Sequence, residues 1–389
     1  MTIQFSVLNT MKPFLQEAWE KAGFPAPTPI QEKAVPVILE GADVIAESPT
    51  GTGKTLAYLL PLLEKVDPAK KAVQAVILAS SRELVMQISD EIRQWGGGIT
   101  SAAFIGGANV KRQLEKLKKQ PQVVAGTPGR IHELIQMKKL KMHEVKLLVL
   151  DEGDQLLVPE HIKGLEAIIK STMKDRQLVL FSATMPEKTA VLAKEWMKNP
   201  LMIKVEKKDL PASQVDHFYF VCDRRERNLF VERIMRGFDP ERMLAFVKDI
   251  GEVNVFSEKL AYKGFTNGIL HGELGKQERA NALKQFREGK LTLLFATDVA
   301  ARGLDIKGLS HVLQFDMPKD ATQYTHRAGR TGRSGQAGTV ITLITEREER
   351  DLKKIAKELG IQLVKKEFFK GKPVDAVERP VSNKRRADK

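Results

Sequence analysis

With 389 residues the chain exceeds what one hydrophobic core usually supports, so two domains of ordinary size are expected, each able to bury a proper core. Its composition, 42% hydrophobic, 29% charged and 6% aromatic, is that of a soluble globular protein and excludes a disordered or collagenous chain. A formal net charge of +14 draws in polyanions; nucleic acid leads, although anionic membranes and ribosomal surfaces also attract basic proteins, and the motifs must decide.

Residues 1–10 lack a basic region followed by an apolar core, and no apolar run approaches about 18 residues, so a cytoplasmic protein without membrane association is expected. Short aliphatic, β-branched runs then recur at 44–46, 75–79, 123–125, 147–150, 178–181 and 202–205. The segments between them, such as 83–95 and 110–119, carry apolar residues at helical spacing. Strand–helix alternation of this kind predicts an α/β fold with a mostly parallel, doubly wound sheet over residues 1–206. Residues 207–213 break the periodicity and read as a linker. A second alternating array spans 214–366, with strands at 215–221, 243–247, 268–270, 291–296, 311–315 and 339–344 and a helix at 348–359. Cys222, the single cysteine, excludes a disulfide framework and reads as a small buried strand residue. From 367 to 389 the Lys and Arg residues among Pro and Gly predict a mobile basic tail.

Two features in the first array carry chemistry. After the first strand stands Ser48-Pro49-Thr50-Gly51-Thr52-Gly53-Lys54-Thr55, a phosphate-binding loop in strand–loop–helix context, opening with Ser48 where the general pattern has Gly. Its glycines let backbone N–H groups converge on phosphates, Lys54 neutralises them, and the Thr55 hydroxyl can ligate Mg²⁺. At the end of the run 147–150 stand Asp151 and Glu152, at the sheet edge where ligands bind in this architecture. Asp151 can hold the Mg²⁺ shell, and Glu152 can orient or deprotonate a water attacking the γ-phosphate of ATP.

Asp151-Glu152-Gly153-Asp154 is similar to the Asp-Glu-Ala-Asp signature of DEAD-box RNA helicases, with Gly153 replacing alanine. That resemblance extends in the expected order from about Phe5 to Thr345 and implies two tandem RecA-like domains. Gly23-Phe24 and Pro27-Thr28-Pro29-Ile30-Gln31 look like the family's Q motif, which implies that Gln31 reads adenine while Phe24 stacks on it. Ser81-Arg82-Glu83-Leu84, Gly106-Gly107 and Thr127-Pro128-Gly129-Arg130 match RNA-backbone elements, implying contacts from Arg82, Gly107, Thr127 and Arg130; Ser80 and Ser81 replace the usual Pro-Thr. Ser182-Ala183-Thr184 resembles the coupling motif, grouping Ser182 and Thr184 with Asp154. In the second array the resemblance places Arg279 and Thr297 on RNA, Gly303 and Asp305 on ATP, and His326, Arg330 and Arg333 in the catalytic group, the arginines as fingers on the γ-phosphate. Lys276 stands where the family often has Gln.

The implied activity is RNA-stimulated ATP hydrolysis with Mg²⁺, by a monomer acting on single-stranded backbone and short duplexes, in a setting such as ribosome assembly or RNA decay. A DNA translocase on the same core and a non-catalytic RNA clamp are the alternatives. The retained Lys54, Asp151, Glu152, Arg330 and Arg333 speak against the clamp.

Overall fold

The computed structural model describes residues 6–376 except 25, 207, 208, 210–214, 273, 302–308 and 333–336, with the side chains of Glu252 and Lys276 also outside the description. The chain parts into two compact units, each with its own sheet.

The first unit contains β1 (Val44–Glu47), β2 (Ala75–Ala79), β3 (Ser101–Phe104), β4 (Val123–Gly126), β5 (Leu147–Asp151), β6 (Gln177–Ser182) and β7 (Leu201–Lys204). They form one sheet in the order β3-β4-β2-β5-β6-β1-β7, and every pairing is parallel. The central runs are continuous aliphatics because both faces are covered: β2, β5 and β6 are buried throughout. One face packs Ile30, Leu59, Val85 and Ile88 from the helices Pro29–Leu39, Lys54–Lys65 and Arg82–Trp95. The other packs Ile131, Leu134, Leu165 and Ile168 from Pro128–Gln136 and Pro159–Lys170. Because all strands run the same way, β1, β5 and β6 end at one edge, and the register sets Glu47 beside Ser182 and Asp151 beside Phe181.

The second unit contains β8 (Val215–Val221), β9 (Met243–Phe246), β10 (Asn267–Leu270), β11 (Leu293–Ala296), β12 (His311–Gln314), β13 (Gly338–Ile344), β14 (Leu363–Phe369) and β15 (Lys372–Asp375). Their order is β10-β11-β9-β12-β13-β8-β14-β15, parallel except for the antiparallel β14–β15 pair. Cys222 is buried beside this sheet, where desolvation lifts its thiol to about 11 and leaves it un-ionised at neutral pH. Among the described residues no helix is long and apolar enough to cross a membrane.

Two departures from the sequence-based expectation have physical causes. β3, Ser-Ala-Ala-Phe, has no β-branched residue and was not expected as a strand; burial against β4 sustains it. The mobile tail expected from 367 does not begin there. β14 runs on to Phe369 and β15 returns, because Phe368 stacks on Phe220 with ring centroids 4.8 Å apart. Lys366, on the same strand face, lays its ammonium 4.4 Å from the Phe218 ring centroid, so a lysine-rich segment is also a packed one. Residues 377–389 lie outside the described residues, as does the expected linker except Asp209.

Charge is buried in the second unit at two arginines. Arg227, 5% exposed, reaches Asp316 Oδ1 at 2.5 Å and Glu348 Oε2 at 3.3 Å. Arg327, 2% exposed, donates from Nε and Nη2 to the two oxygens of Asp298, both at 2.7 Å, and from Nη1 to the Asp316 carbonyl at 2.6 Å. Removing one partner of such a pair strands the other charges. Arg227→Ala should therefore lower unfolding free energy by about 3 kcal/mol in urea titration, against roughly 0.5 kcal/mol or less for exposed Arg225→Ala; equal effects would show that the buried pair does not hold the unit together.

Candidate functional site

The phosphate loop grows out of β1 and is braced from below. Ser48 N–H donates to the Ser182 carbonyl at 3.0 Å, joining the loop to the end of β6. The Ser48 hydroxyl, fully buried, lies 2.7 Å from Thr52 Oγ1, which donates in turn to the Pro49 carbonyl at 2.8 Å. The serine that departs from the general loop pattern thus has a definite task. Gly51 and Gly53 take φ of 78° and 85°, which L side chains rarely adopt, and the helix Lys54–Lys65 starts directly after, its N-terminal, positive dipole end facing the loop. Lys54 Nζ donates to the carbonyls of Ser48 and Pro49 at 2.7 and 2.9 Å, folded across the space a phosphate would fill.

Gln31 touches this loop directly. Its Oε1 accepts from Thr28 N–H at 2.9 Å, capping the helix Pro29–Leu39, and its Nε2 donates to the Gly53 carbonyl at 3.3 Å. A Cβ at Gly53 would stand 2.6 Å from that nitrogen. The residue expected to read adenine is 3% exposed and ties the adenine-side turn to the phosphate loop. Phe24 is 43% exposed, with its ring parallel to Trp95 at 6.2 Å and edge-on to Trp19 at 5.2 Å.

Asp151 ends β5, 4% exposed. The Tyr58 hydroxyl donates to its Oδ2 at 2.8 Å, and Glu152 N–H donates to its Oδ1 at 2.9 Å. Burial, reinforced by the charge of Glu152, pushes the Asp151 carboxyl up to about 6 despite Tyr58 and Lys54. Glu152 sits in the left-handed region, φ 58° and ψ 54°, a strained place for a non-glycine residue that turns its side chain off the strand axis to meet the Ser80 hydroxyl. A Cβ at Gly153 would lie 2.8 Å from Leu180 Cδ1, so the departure from the Asp-Glu-Ala-Asp signature matches the close packing of β6 on this turn. Asp154 N–H donates to Ser182 Oγ at 3.1 Å, and Thr184 Oγ1 donates to Asp154 Oδ2 at 3.1 Å. The three coupling candidates therefore form one chain of hydrogen bonds, rooted in the strand whose carbonyl holds the phosphate loop.

Among the described residues no cluster of three or more His, Cys, Asp or Glu could hold a metal alone. A buried carboxylate short of counter-charge, linked through the Tyr58 hydroxyl to Thr55 at the end of the phosphate loop, fits the way Mg²⁺ binds, through one or two protein oxygens and the phosphates of its substrate.

The elements expected to meet RNA in the first unit also converge. Ser81 Oγ caps the helix Arg82–Trp95 by accepting from Leu84 N–H at 3.1 Å, so the serine replacement retains its helix-starting role. The exposed Arg82 guanidinium covers Gly107, where a Cβ would meet its Nη2 at 2.6 Å. Thr127 Oγ1 accepts from Gly106 N–H at 3.4 Å. Arg130 is 7% exposed, Nη2 donating to the Ala108 carbonyl at 3.4 Å and Nε lying 2.9 Å from Glu133 Oε2, so that without RNA it braces the glycine loop.

In the second unit Arg279 Nη2 donates to the Ala300 carbonyl at 2.8 Å, and Thr297 Oγ1 accepts from Ala300 N–H at 3.3 Å, so both converge on the short helix Asp298–Ala301. Arg330 follows the helix Ala321–Ala328 and donates from Nε to the His326 carbonyl at 3.3 Å. Gly303, Asp305 and Arg333 lie outside the described residues. Sequence reasoning missed Tyr58, Ser80 and Arg327. The first was signalled by its place one turn after Lys54, the second by its position just past β2 beside β5; Arg327 stands inside the arginine-rich motif itself.

Residues 28–192 match the DEAD/DEAH box helicase model and residues 227–335 the helicase conserved C-terminal domain. The chain is 50% identical to the probable ATP-dependent RNA helicase YfmL of Bacillus subtilis over 96% of its own length and 99% of that protein's. It is also 50% identical to the DEAD-box ATP-dependent RNA helicase CshC of Bacillus cereus, over 95% of each chain. The solved structure of S. cerevisiae Dbp5 bound to RNA and ADP BeF3 is similar with a TM-score of 0.83 and 31% identity, covering 93% of this chain and 95% of that one.

A carboxyl raised to about 6 binds its proton more tightly folded than unfolded, so it favours folding at low pH and loses that contribution as pH climbs through 6. Mg²⁺ needs the ionised form. Mg²⁺-dependent ATP affinity, measured by calorimetry, should rise as pH increases from about 5 to about 7 and then level off. Asp151→Asn subtracts the titration of the nucleotide; the same pH profile in that variant would remove Asp151 from the metal shell.

Proposed function

The chain belongs to the DEAD-box family of ATP-dependent RNA helicases, and we propose that it couples RNA-stimulated ATP hydrolysis to closure of its two units on the RNA backbone, opening short duplexes or remodelling RNA–protein complexes without processive travel. The observation that carries this reading is the unbroken set in the first unit. The phosphate loop, Asp151, Glu152 and the Ser182–Asp154–Thr184 chain share one sheet edge through direct hydrogen bonds.

In this reading the backbone N–H groups of residues 50–55 and the Lys54 ammonium receive the phosphates, Lys54 exchanging two loop carbonyls for phosphate oxygens. Thr55 and Asp151 would hold Mg²⁺, which supplies neutralising charge on the phosphate oxygens. Glu152, fixed in its left-handed turn, aims its carboxylate away from β5 to orient the attacking water and take its proton. Arg330 lies in the other unit; with Arg333, three residues further along the sequence, it supplies charge to the transferring phosphoryl group only when the units close. RNA bridging Arg82, Gly107 and Thr127 to Arg279 and Thr297 favours that closed state, with Arg130 shaping the first-unit loop from behind. Backbone contacts carry little sequence information, so target choice comes from elsewhere. The protein acts as a cytoplasmic monomer in this account.

Glu152→Gln preserves shape and removes the base. It should keep ATP and RNA affinity near wild type while RNA-stimulated phosphate release falls by about 10²-fold to 10⁴-fold. Turnover at the wild-type rate would show that Glu152 is not the base. Stimulation by DNA equal to that by RNA would favour a translocase instead.

A further inference from the structure

The hairpin at the edge of the second sheet carries a feature that the nucleotide site does not use. Lys370 and Gly371 join β14 to β15 with φ of 49° and 79°, the two-residue turn whose twist suits paired strands. Its inner face is anchored. Phe368 stacks on Phe220, and a Cβ at Gly237 would stand 3.0 Å from Pro373 Cδ and 3.3 Å from the Gly371 carbonyl oxygen, so the hairpin rides hard against the helix Arg227–Phe238.

Strand alternation then turns the next ring outward. Phe369 is 61% exposed and pairs across the strands with Lys372, while Lys370 Nζ lies 5.5 Å from its ring centroid. A rigidly held aromatic ring left in water gains free energy when something covers it. Its two neighbours at the tip are cations, which an apolar protein surface would have to desolvate and leave unpaired. A ligand that brings flat rings and negative charge together satisfies both, and the chain's net charge of +14 favours the same class. Base faces are free to stack only where the strand is unpaired.

We infer that the outward face of this hairpin is an accessory platform for single-stranded RNA, on which a base stacks on Phe369 while Lys370 and Lys372 hold the adjoining phosphates. This use presupposes RNA as the substrate but adds a contact outside the family elements. The test uses the full chain and single-stranded RNA bearing photoreactive uridines, with affinity read by fluorescence anisotropy over a salt series and cross-links mapped by mass spectrometry. Phe369→Ala should weaken binding by about 5-fold or more, and Phe369→Trp should restore it. Lys370→Ala with Lys372→Ala should reduce the salt slope by roughly 1.4, two phosphates' worth for a single strand. Cross-links should fall on residues 363–375, and thermal unfolding should be unchanged in all variants. Wild-type affinity in Phe369→Ala with cross-links elsewhere would overturn the platform while leaving the helicase reading intact. Failure of the wild-type chain to bind RNA would overturn both. Loss of a protein partner with unchanged RNA affinity would make the face a protein-docking surface instead.

Discussion

Asp151 has to be ionised to serve a metal, yet the parallel sheet that positions it makes ionisation costly, and the surrounding groups follow from that conflict. The carboxylate ends a strand buried throughout, with the Glu152 charge adding to the penalty and Tyr58, Lys54 and the Glu152 N–H offsetting only part of it. Tyr58 accordingly donates from the helix that follows the phosphate loop, and Glu152 is turned away by a left-handed backbone. A local charge deficit of this kind makes a divalent cation with its nucleotide the natural completion of the site.

Completion still leaves the chemistry divided. Lys54, Asp151 and Glu152 lie in one unit and Arg330 in the other, each held by its own sheet. In the proposed mechanism the open chain binds ATP but lacks charge on the transferring group, and RNA shifts the population toward closure by contacting both units. In that mechanism the proposed route within the first unit is the Ser182–Asp154–Thr184 chain, which joins the β6 end to the acidic turn and, through the Ser182 carbonyl, to the phosphate loop. Arg227 and Arg327, themselves buried, tie the elements of the second unit together through partly exposed carboxylates.

Much of this was legible in the residues. Parallel strands buried on both faces must be aliphatic runs, so residues 75–79, 147–150 and 178–181 announced themselves, and the loop 48–55 needs its glycines where the backbone turns to positive φ. What escaped notice depended on contacts between distant segments. β3 is too poor in β-branched residues to declare itself, and the final hairpin looked like a tail because its lysines conceal an inward-facing Phe368. Arg130 carried the right residue type for phosphate, but only the fold shows it committed to Ala108 and Glu133. The tyrosine bonded to Asp151 lies 93 residues away in the chain, a distance no local pattern bridges.

Coupling between the nucleotide and RNA sites is the claim on which the mechanism stands, and it is reciprocal by thermodynamic necessity. The direct measurement is RNA affinity with and without a non-hydrolysable ATP analogue and Mg²⁺, for the wild-type chain and for Arg330→Ala. The account predicts that the analogue tightens RNA binding by roughly 5-fold to 150-fold in the wild type, the ordinary range of coupling between two sites, and much less in Arg330→Ala. Equal RNA affinities in all four conditions would contradict it.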